Sequence, residues 1–167
     1  MAEMKPGVNP LFLREEELRQ GMELLFYAYR DFTAGPDAML SRLGFGRAHH
    51  RVIYFVGRNP QITVTDLLAI LRITKQSLSR VLGELLRQGY VMQRPGVRDR
   101  RQRLLELTDK GVELERLLSE DQRQRIARAY RKAGAEAVEG FRKVMLGIID
   151  QDEPPGRTPA ATWRDND

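Results

Sequence analysis

The sequence contains no cysteine among its 167 residues. Disulfide bonds, thiolate metal sites and thiol-based sensing of oxidants are therefore excluded. Histidine is scarce too, because the only two are the neighbours His49 and His50. Adjacent side chains on a helix point about 100° apart, so one ion cannot easily bind both. We therefore predict no metal site and no cofactor, and we read these histidines by default as packing residues.

Long apolar runs and enzyme motifs are also missing. No stretch approaches the roughly 20 apolar residues that span a bilayer, and the first ten residues lack the apolar run of a signal peptide. We therefore expect a cytoplasmic protein with no membrane contact. The sequence has no phosphate-binding loop, dinucleotide fingerprint, serine-hydrolase elbow or zinc-protease motif. We predict that the chain is not an enzyme.

Positive charge, by contrast, is concentrated in the middle of the chain. The formal net charge is +5, yet residues 72–103 hold nine basic and only two acidic residues. The remainder of the chain is therefore slightly acidic. A basic segment in such a chain suggests a surface that binds a polyanion, although an ordinary solvated face would explain the charge alone equally well.

Apolar periodicity predicts a mostly α-helical protein with one small β-hairpin. We predict the order α-α-α-α-β-β-α-α, with Gly35-Pro36 kinking or ending the first helix, which starts at Leu11. One domain should cover residues 11–149, between disordered ends at 1–10 and 150–167. Within it we expect a winged helix-turn-helix core at about 47–108. The outer helices, at about 11–41 and 109–149, have more apolar surface than this core can cover, so we expect them to form a homodimer.

The segment from Thr63 to Gln88 has the layout of a helix-turn-helix: a short helix, a turn of about three residues and a longer helix. The second helix should enter the major groove of double-stranded DNA. Arginine can bond guanine bidentately, glutamine can do the same for adenine, and a helix N-terminus suits phosphate. The predicted contacts are Thr74, Lys75, Gln76, Ser77, Ser79 and Arg80. A plain solvated helix face is the alternative reading.

The tip of the predicted hairpin carries arginines around a single acid. The residues are Arg98, Asp99, Arg100 and Arg101. Crowded like charges repel each other unless an anion is bound, and an arginine on a thin hairpin can enter a narrow minor groove. Asp99 could brace the Arg101 guanidinium by a charge-assisted hydrogen bond. The alternative is a solvated turn that keeps the protein soluble.

These motifs together resemble the MarR family. Asp99-Arg100-Arg101, followed by Leu105-Glu106-Leu107-Thr108 and Gly111, is similar to the family's wing signature, and residues 76–82 and 85–91 resemble its recognition helix and following strand. The resemblance extends from about residue 11 to 149. It implies a homodimeric regulator, usually a repressor, on a pseudo-palindromic operator, with Arg101 as the minor-groove arginine. Lack of cysteine separates the chain from the oxidant-sensing members.

The same resemblance implies a small aromatic or phenolic effector, bound between the dimer helices and the DNA-binding lobe. The candidate pocket residues are Tyr27, Arg30, Arg47, His50 and Tyr54. They could equally be interface packing. Two other functions stay open: constitutive DNA binding without an effector, and a winged-helix module that docks an acidic protein partner.

Overall fold

The computed structural model describes residues 10–150. It confirms the fold class, since helices dominate and the strands form one small antiparallel sheet. The elements are a 3-10 turn at Leu11–Leu13, α1 Glu15–Arg42, α2 Arg47–Arg58, β1 Ile62–Thr63, α3 Val64–Leu71, α4 Lys75–Arg87, β2 Val91–Pro95, β3 Arg103–Leu107, α5 Asp109–Ala133 and α6 Ala135–Ile148. The disorder predicted for the two ends falls almost entirely on residues 1–9 and 151–167, outside the described residues.

Three threonines cap the N-termini of three of these helices. The hydroxyl oxygens of Thr63, Thr74 and Thr108 accept hydrogen bonds from the backbone N–H three residues further on, at the N-termini of α3, α4 and α5. Such a cap satisfies an amide that has no partner within the helix. The caps therefore fix where the helix-turn-helix begins and where α5 leaves the sheet.

The core lies between α2, α3, α4 and the sheet. The buried side of α4 consists of Leu78, Val81, Leu82 and Leu85, which repeat at helical spacing. They join the buried side of α2, together with Leu67 of α3 and Leu105 of β3, in one apolar cluster. Because this side of α4 is buried, its opposite side is left facing outward.

The sheet has a third strand that the sequence analysis did not predict. Its order is β1-β3-β2, with β2 and β3 forming the hairpin and Ile62 of β1 opposite Leu105 of β3. β1 is only two residues long, so it shows no alternation of apolar and polar side chains from which a strand could be recognised. It ties the start of α3 to the base of the hairpin.

Helix α1 continues through Pro36 rather than ending there. Proline has no N–H, so the carbonyl of Phe32, four residues earlier, loses its intrahelical donor. The Gln122 side chain of α5 replaces that donor, with Nε2 3.2 Å from the Phe32 oxygen. Next to it, Gly35 lies so close to Asp121 that a Cβ atom would come within 2.7 Å of the carboxylate. The break is therefore covered by α5.

The outer helices carry apolar side chains that this single chain leaves exposed. One group lies on α1 and includes Leu18, Met22, Leu25 and Phe26; the other lies at the C-terminal end and includes Phe141, Val144, Ile148 and Ile149. We call these groups the α1 and α6 apolar faces. No helix within residues 10–150 is both long enough and apolar enough to cross a membrane.

Candidate nucleic-acid interface

The N-terminal half of α4 presents a polar face to solvent. All six residues predicted to contact DNA, from Thr74 to Arg80, are exposed, while Leu78 between them is buried. The Thr74 hydroxyl also donates to the hydroxyl oxygen of Ser77 at 2.8 Å. Lys75 and Gln76 begin the helix, where its unpaired N–H groups and its dipole favour an anion. This face has the size, charge and donors that a duplex groove requires.

Arg80 and Glu84 lie one turn apart on this face and are joined. The Nη1 atom of Arg80 lies 3.1 Å from Oε1 of Glu84, and the other carboxylate oxygen lies 2.7 Å from Nε2 of His49 on α2. The pKa of the Glu84 carboxyl is lowered, chiefly by the hydrogen bond with His49 and further by Arg80. This network was not predicted from the sequence.

The spacing of the apolar residues of α2 nevertheless indicates that His49 is buried. With Val52, Ile53 and Val56 it forms an i, i+3, i+4, i+7 series on the buried side of α2. His50, one position on, points elsewhere. The partner of His49 could not be read from sequence, because it is 35 residues away.

The wing tip is shaped by backbone hydrogen bonds. The Asp99 carboxylate accepts from the backbone N–H of Arg101 at 3.0 Å, and the Asp99 carbonyl accepts from Gln102 at 3.1 Å. This corrects the expected brace: Asp99 fixes the backbone of Arg101 rather than its guanidinium. Gly96 is required beside it, because a Cβ atom would lie 2.5 Å from the Asp99 carbonyl oxygen.

The arginines of the tip are left available. Arg98, Arg100 and Arg101 are exposed, and no ion pair is found for any of them within the described part of the chain. Their positive charges therefore have no ion-pair partner at the end of the two-stranded hairpin, where an external anion can reach them.

A cavity of about 920 Å³ lies between α1, α2 and α5. Arg47, His50 and Tyr54, three of the predicted pocket residues, line it. Tyr27 and Arg30 do not: the Arg30 guanidinium lies over the Tyr27 ring, 4.8 Å from its centroid, and pairs with Asp31. The correction follows from helix geometry, because positions 27 and 30 lie on a different side of α1 from Tyr29, which does line the cavity.

The remaining lining residues were not predicted, and most belong to α5. They are Phe32, Thr33, Arg51, Phe55, Arg58, Glu115, Arg116, Ser119, Gln122, Arg123, Ile126, Ala127 and Tyr130. Those of α5 recur every three to four residues, so they form one stripe. A sequence shows such a stripe but does not show which other helix it faces.

The cavity combines aromatic surface with positive charge. Arg51 donates to the Tyr29 hydroxyl at 3.0 Å, and Arg47 lies over the Tyr29 ring while pairing with Asp37 at 3.0 Å. Five arginines and a single acid, Glu115, belong to the lining. Arg116 and Arg123 are paired with Glu113 and Glu120 of α5, which leaves Arg51 and Arg58 as the lining arginines for which no ion pair is found within residues 10–150. The pKa of His50 is lowered by burial. These features suit a small anion with an apolar body. Residues 10–150 contain no cluster of three or more side chains that could hold a metal ion.

Comparison with known proteins agrees with this geometry. The sequence profile of the MarR family matches residues 43–102. The HTH-type transcriptional regulator PetP of Rhodobacter capsulatus is 54% identical over 144 residues, which make up 86% of this chain and 87% of that protein.

Solved structures give the same fold. FabT of Streptococcus pneumoniae in complex with DNA aligns with a TM-score of 0.69 and 19% identity, over 78% of this chain and 94% of that one. A MarR family transcription regulator aligns with a TM-score of 0.67 and 22% identity, over 80% and 88% of the two chains. High identity over most of both sequences, with this fold, shows that the chain belongs to the MarR family of winged helix transcriptional regulators, which bind DNA and are not enzymes.

Proposed function

We propose that this protein acts as a homodimer that binds a pseudo-palindromic operator and represses transcription until a small aromatic anion releases it. The observation that carries the DNA-binding part is the exposed face of α4, with Gln76 and Arg80 flanked by the uncompensated arginines of the wing. In two copies, α4 would enter successive major grooves, roughly 34 Å apart. FabT, a protein of the same fold, is described in complex with DNA.

Each part of this surface has a distinct role in the proposal. Lys75 and the amides at the start of α4 bind phosphate, which positions the helix without reading sequence. Gln76 and Arg80 reach base edges, where a bidentate contact distinguishes one base pair from the others. Arg101 of the wing enters the minor groove beside each half-site, where narrow A·T tracts have the most negative potential. Affinity should therefore fall steeply as salt rises.

Arg80→Ala tests the role of α4. Selection from random duplex DNA should first yield a palindrome for the unchanged protein. Arg80→Ala should then weaken operator binding by about 1–3 kcal/mol. It should also relax the preference at one base pair in each half-site, because only the bidentate contact of Arg80 reads that pair. Competition across operator variants measures this effect.

Arg101→Ala is the matched control, since it removes the same charge from the wing. It should weaken binding equally across major-groove variants, with the larger loss at operators that have A·T flanks. If Arg80→Ala instead weakens every operator equally, Arg80 contacts only phosphate. If no consensus emerges from the selection, the result would favour the alternative in which the wing arginines dock an acidic protein partner.

The ligand part of the proposal rests on the cavity. Its aromatic rings can cover a flat apolar body, and Arg51 and Arg58 can bind a carboxylate or phenolate. α2 lines the cavity with one side and packs against α4 with the other. A ligand that shifts α2 would therefore shift the helix that reads DNA.

We expect 2-hydroxybenzoate to raise the thermal unfolding midpoint of the protein and to weaken its operator complex. Stabilisation by a ligand grows with concentration and amounts to about 2.7 kcal/mol at a hundredfold excess over the dissociation constant. 2-Hydroxybenzamide, which keeps the ring and its hydroxyl but lacks the charge, should give a smaller shift, and Arg51→Gln should reduce the shift from 2-hydroxybenzoate. Equal shifts from both compounds would argue against anion recognition, and no shift from any aromatic acid would favour constitutive DNA binding.

A further inference from the structure

Glu84 lies between the core of the protein and the arginine proposed to read DNA. Its two carboxylate oxygens have different partners: Oε2 lies 2.7 Å from Nε2 of His49, and Oε1 accepts from Nη1 of Arg80 at 3.1 Å. The side chain of Glu84 is one-quarter exposed, whereas that of Arg80 is about two-thirds exposed. A buried histidine of α2 is thus connected to an exposed arginine of α4 through one carboxylate.

His49 cannot move freely. Its ring is stacked on Phe45, with the two centroids 4.6 Å apart, and its Nδ1 atom accepts a hydrogen bond from the backbone N–H of Gly46 at 3.0 Å. Only an unprotonated ring nitrogen can accept, so in the neutral ring the proton lies on Nε2, which donates to Glu84. The core therefore determines where the Glu84 carboxylate lies.

This arrangement differs from an ordinary surface pair of arginine and glutamate one turn apart. In such a pair both long side chains are mobile, so the contact contributes little. Here the acid is held in place, and the arginine gains a fixed acceptor. The contact uses Nη1 of Arg80, and no other hydrogen bond of this guanidinium is found within residues 10–150. The Nε–Nη2 edge, which can make two parallel bonds to guanine, therefore stays available.

We propose that Glu84 is a positioning residue, which holds Arg80 ready to read a base, and that His49 holds Glu84. This inference rests on the proposed function, because it concerns how α4 recognises its operator. Ordering a long side chain opposes binding, and a side chain that is ordered before binding avoids that cost. Glu84 itself does not contact the base in this proposal. It increases the difference in affinity between the correct base pair and the others.

Glu84→Gln separates this role from a structural one. The amide oxygen still accepts from His49, so the contact between α2 and α4 is kept, but the NH₂ group cannot accept from Arg80. Discrimination between the selected operator and a variant changed at the Arg80 base pair should fall roughly two- to tenfold. Affinity for an unrelated duplex should not fall, because the change removes a negative charge from a surface that faces phosphates.

Two further proteins serve as controls. Asp66→Asn removes one negative charge from an exposed position on a different helix, α3, and should leave discrimination at that base pair unchanged. In the Arg80→Ala background, Glu84→Gln should cause no additional loss of discrimination, because the side chain that it positions is absent. Without DNA, ¹⁵N relaxation at the Arg80 Nε atom should show greater mobility in Glu84→Gln than in the unchanged protein.

The outcomes separate this inference from the proposed function. If the unchanged protein prefers no sequence, the proposed function fails and the inference fails with it. If it does prefer one and Glu84→Gln discriminates equally well, only the inference fails. An equal loss of affinity for all duplexes would show a structural role and overturn the inference. Unchanged Arg80 mobility in Glu84→Gln would overturn it without reference to DNA.

Discussion

Replacing Val144 and Ile148 together by lysine is expected to separate the proposed homodimer into monomers that no longer hold the proposed operator. Both side chains lie on the α6 apolar face and are 63% and 57% exposed in the single chain. Covering each of them should stabilise a dimer by about 1.5–3 kcal/mol, and each occurs once per copy. Lysine removes this gain and places like charges opposite each other, so the dissociation constant should rise at least about a thousandfold.

Sedimentation equilibrium and gel-shift titration would measure the two effects. The monomer should stay folded, because neither residue belongs to the buried core. Val112→Lys is the matched control: Val112 is 54% exposed, on α5 and outside both apolar faces. It should leave the dimer intact. A double-lysine protein that remains dimeric at micromolar concentration would mean that α6 does not form the dimer interface.

Gly111→Ala should be the most destabilising single substitution of a glycine. A Cβ atom on Gly111 would lie 2.0 Å from the carbonyl oxygen of Tyr90 and 3.3 Å from Cβ of Leu107. The first of these is a backbone atom, and it also accepts from the backbone N–H of Thr108 at 3.1 Å, so it cannot move away without straining that hydrogen bond. Overpacking of this kind costs about 1–3 kcal/mol and sometimes more.

Chemical denaturation would show the destabilisation of Gly111→Ala as a lower denaturant concentration at the unfolding midpoint. Gly140→Ala is the control, because Gly140 also lies within a helix, and a Cβ atom there has nothing within 4 Å. Alanine should stabilise that helix by roughly 0.5–1 kcal/mol. Equal midpoints for the two variants would show that the start of α5 can shift away from the sheet, contrary to the tight contact described here.

Features encoded by neighbouring residues could be predicted from the sequence. The caps at Thr63, Thr74 and Thr108 were predictable because a threonine contacts an amide only three residues away. The face of α4 was predictable because Leu78, Val81, Leu82 and Leu85 repeat with the period of a helix. Gly89 follows the end of α4 and has a φ of 76°, and a left-handed glycine at such a position is predictable for the same local reason.

Features that depend on distant residues could not be predicted. Gln122 replaces a donor for Phe32, 90 positions earlier in the chain, and that relation appears only once α1 and α5 are packed. Helical spacing from the buried leucines of α4 puts Glu84 on the outer side of that helix, yet its contact with His49 depends on the angle between α2 and α4. Only part of the cavity lining was predicted, because the largest share of the lining residues belongs to α5. The orientation of α5 toward α1 depends on the whole fold and cannot be read from the local sequence.

The Tyr90 carbonyl also has a mechanical consequence. It joins the base of the hairpin to the start of α5 by accepting a hydrogen bond from Thr108. Because Gly111 has no side chain, the backbones of the hairpin and of α5 lie in direct contact at this point. The base of the hairpin should therefore move together with the first turn of α5. α5 has 25 residues, about 37 Å of helix, so in the proposed dimer a tilt of about 5° around its far end would displace that base by roughly 3 Å. Small changes in the angle between the two copies would thus change the spacing of the two wings.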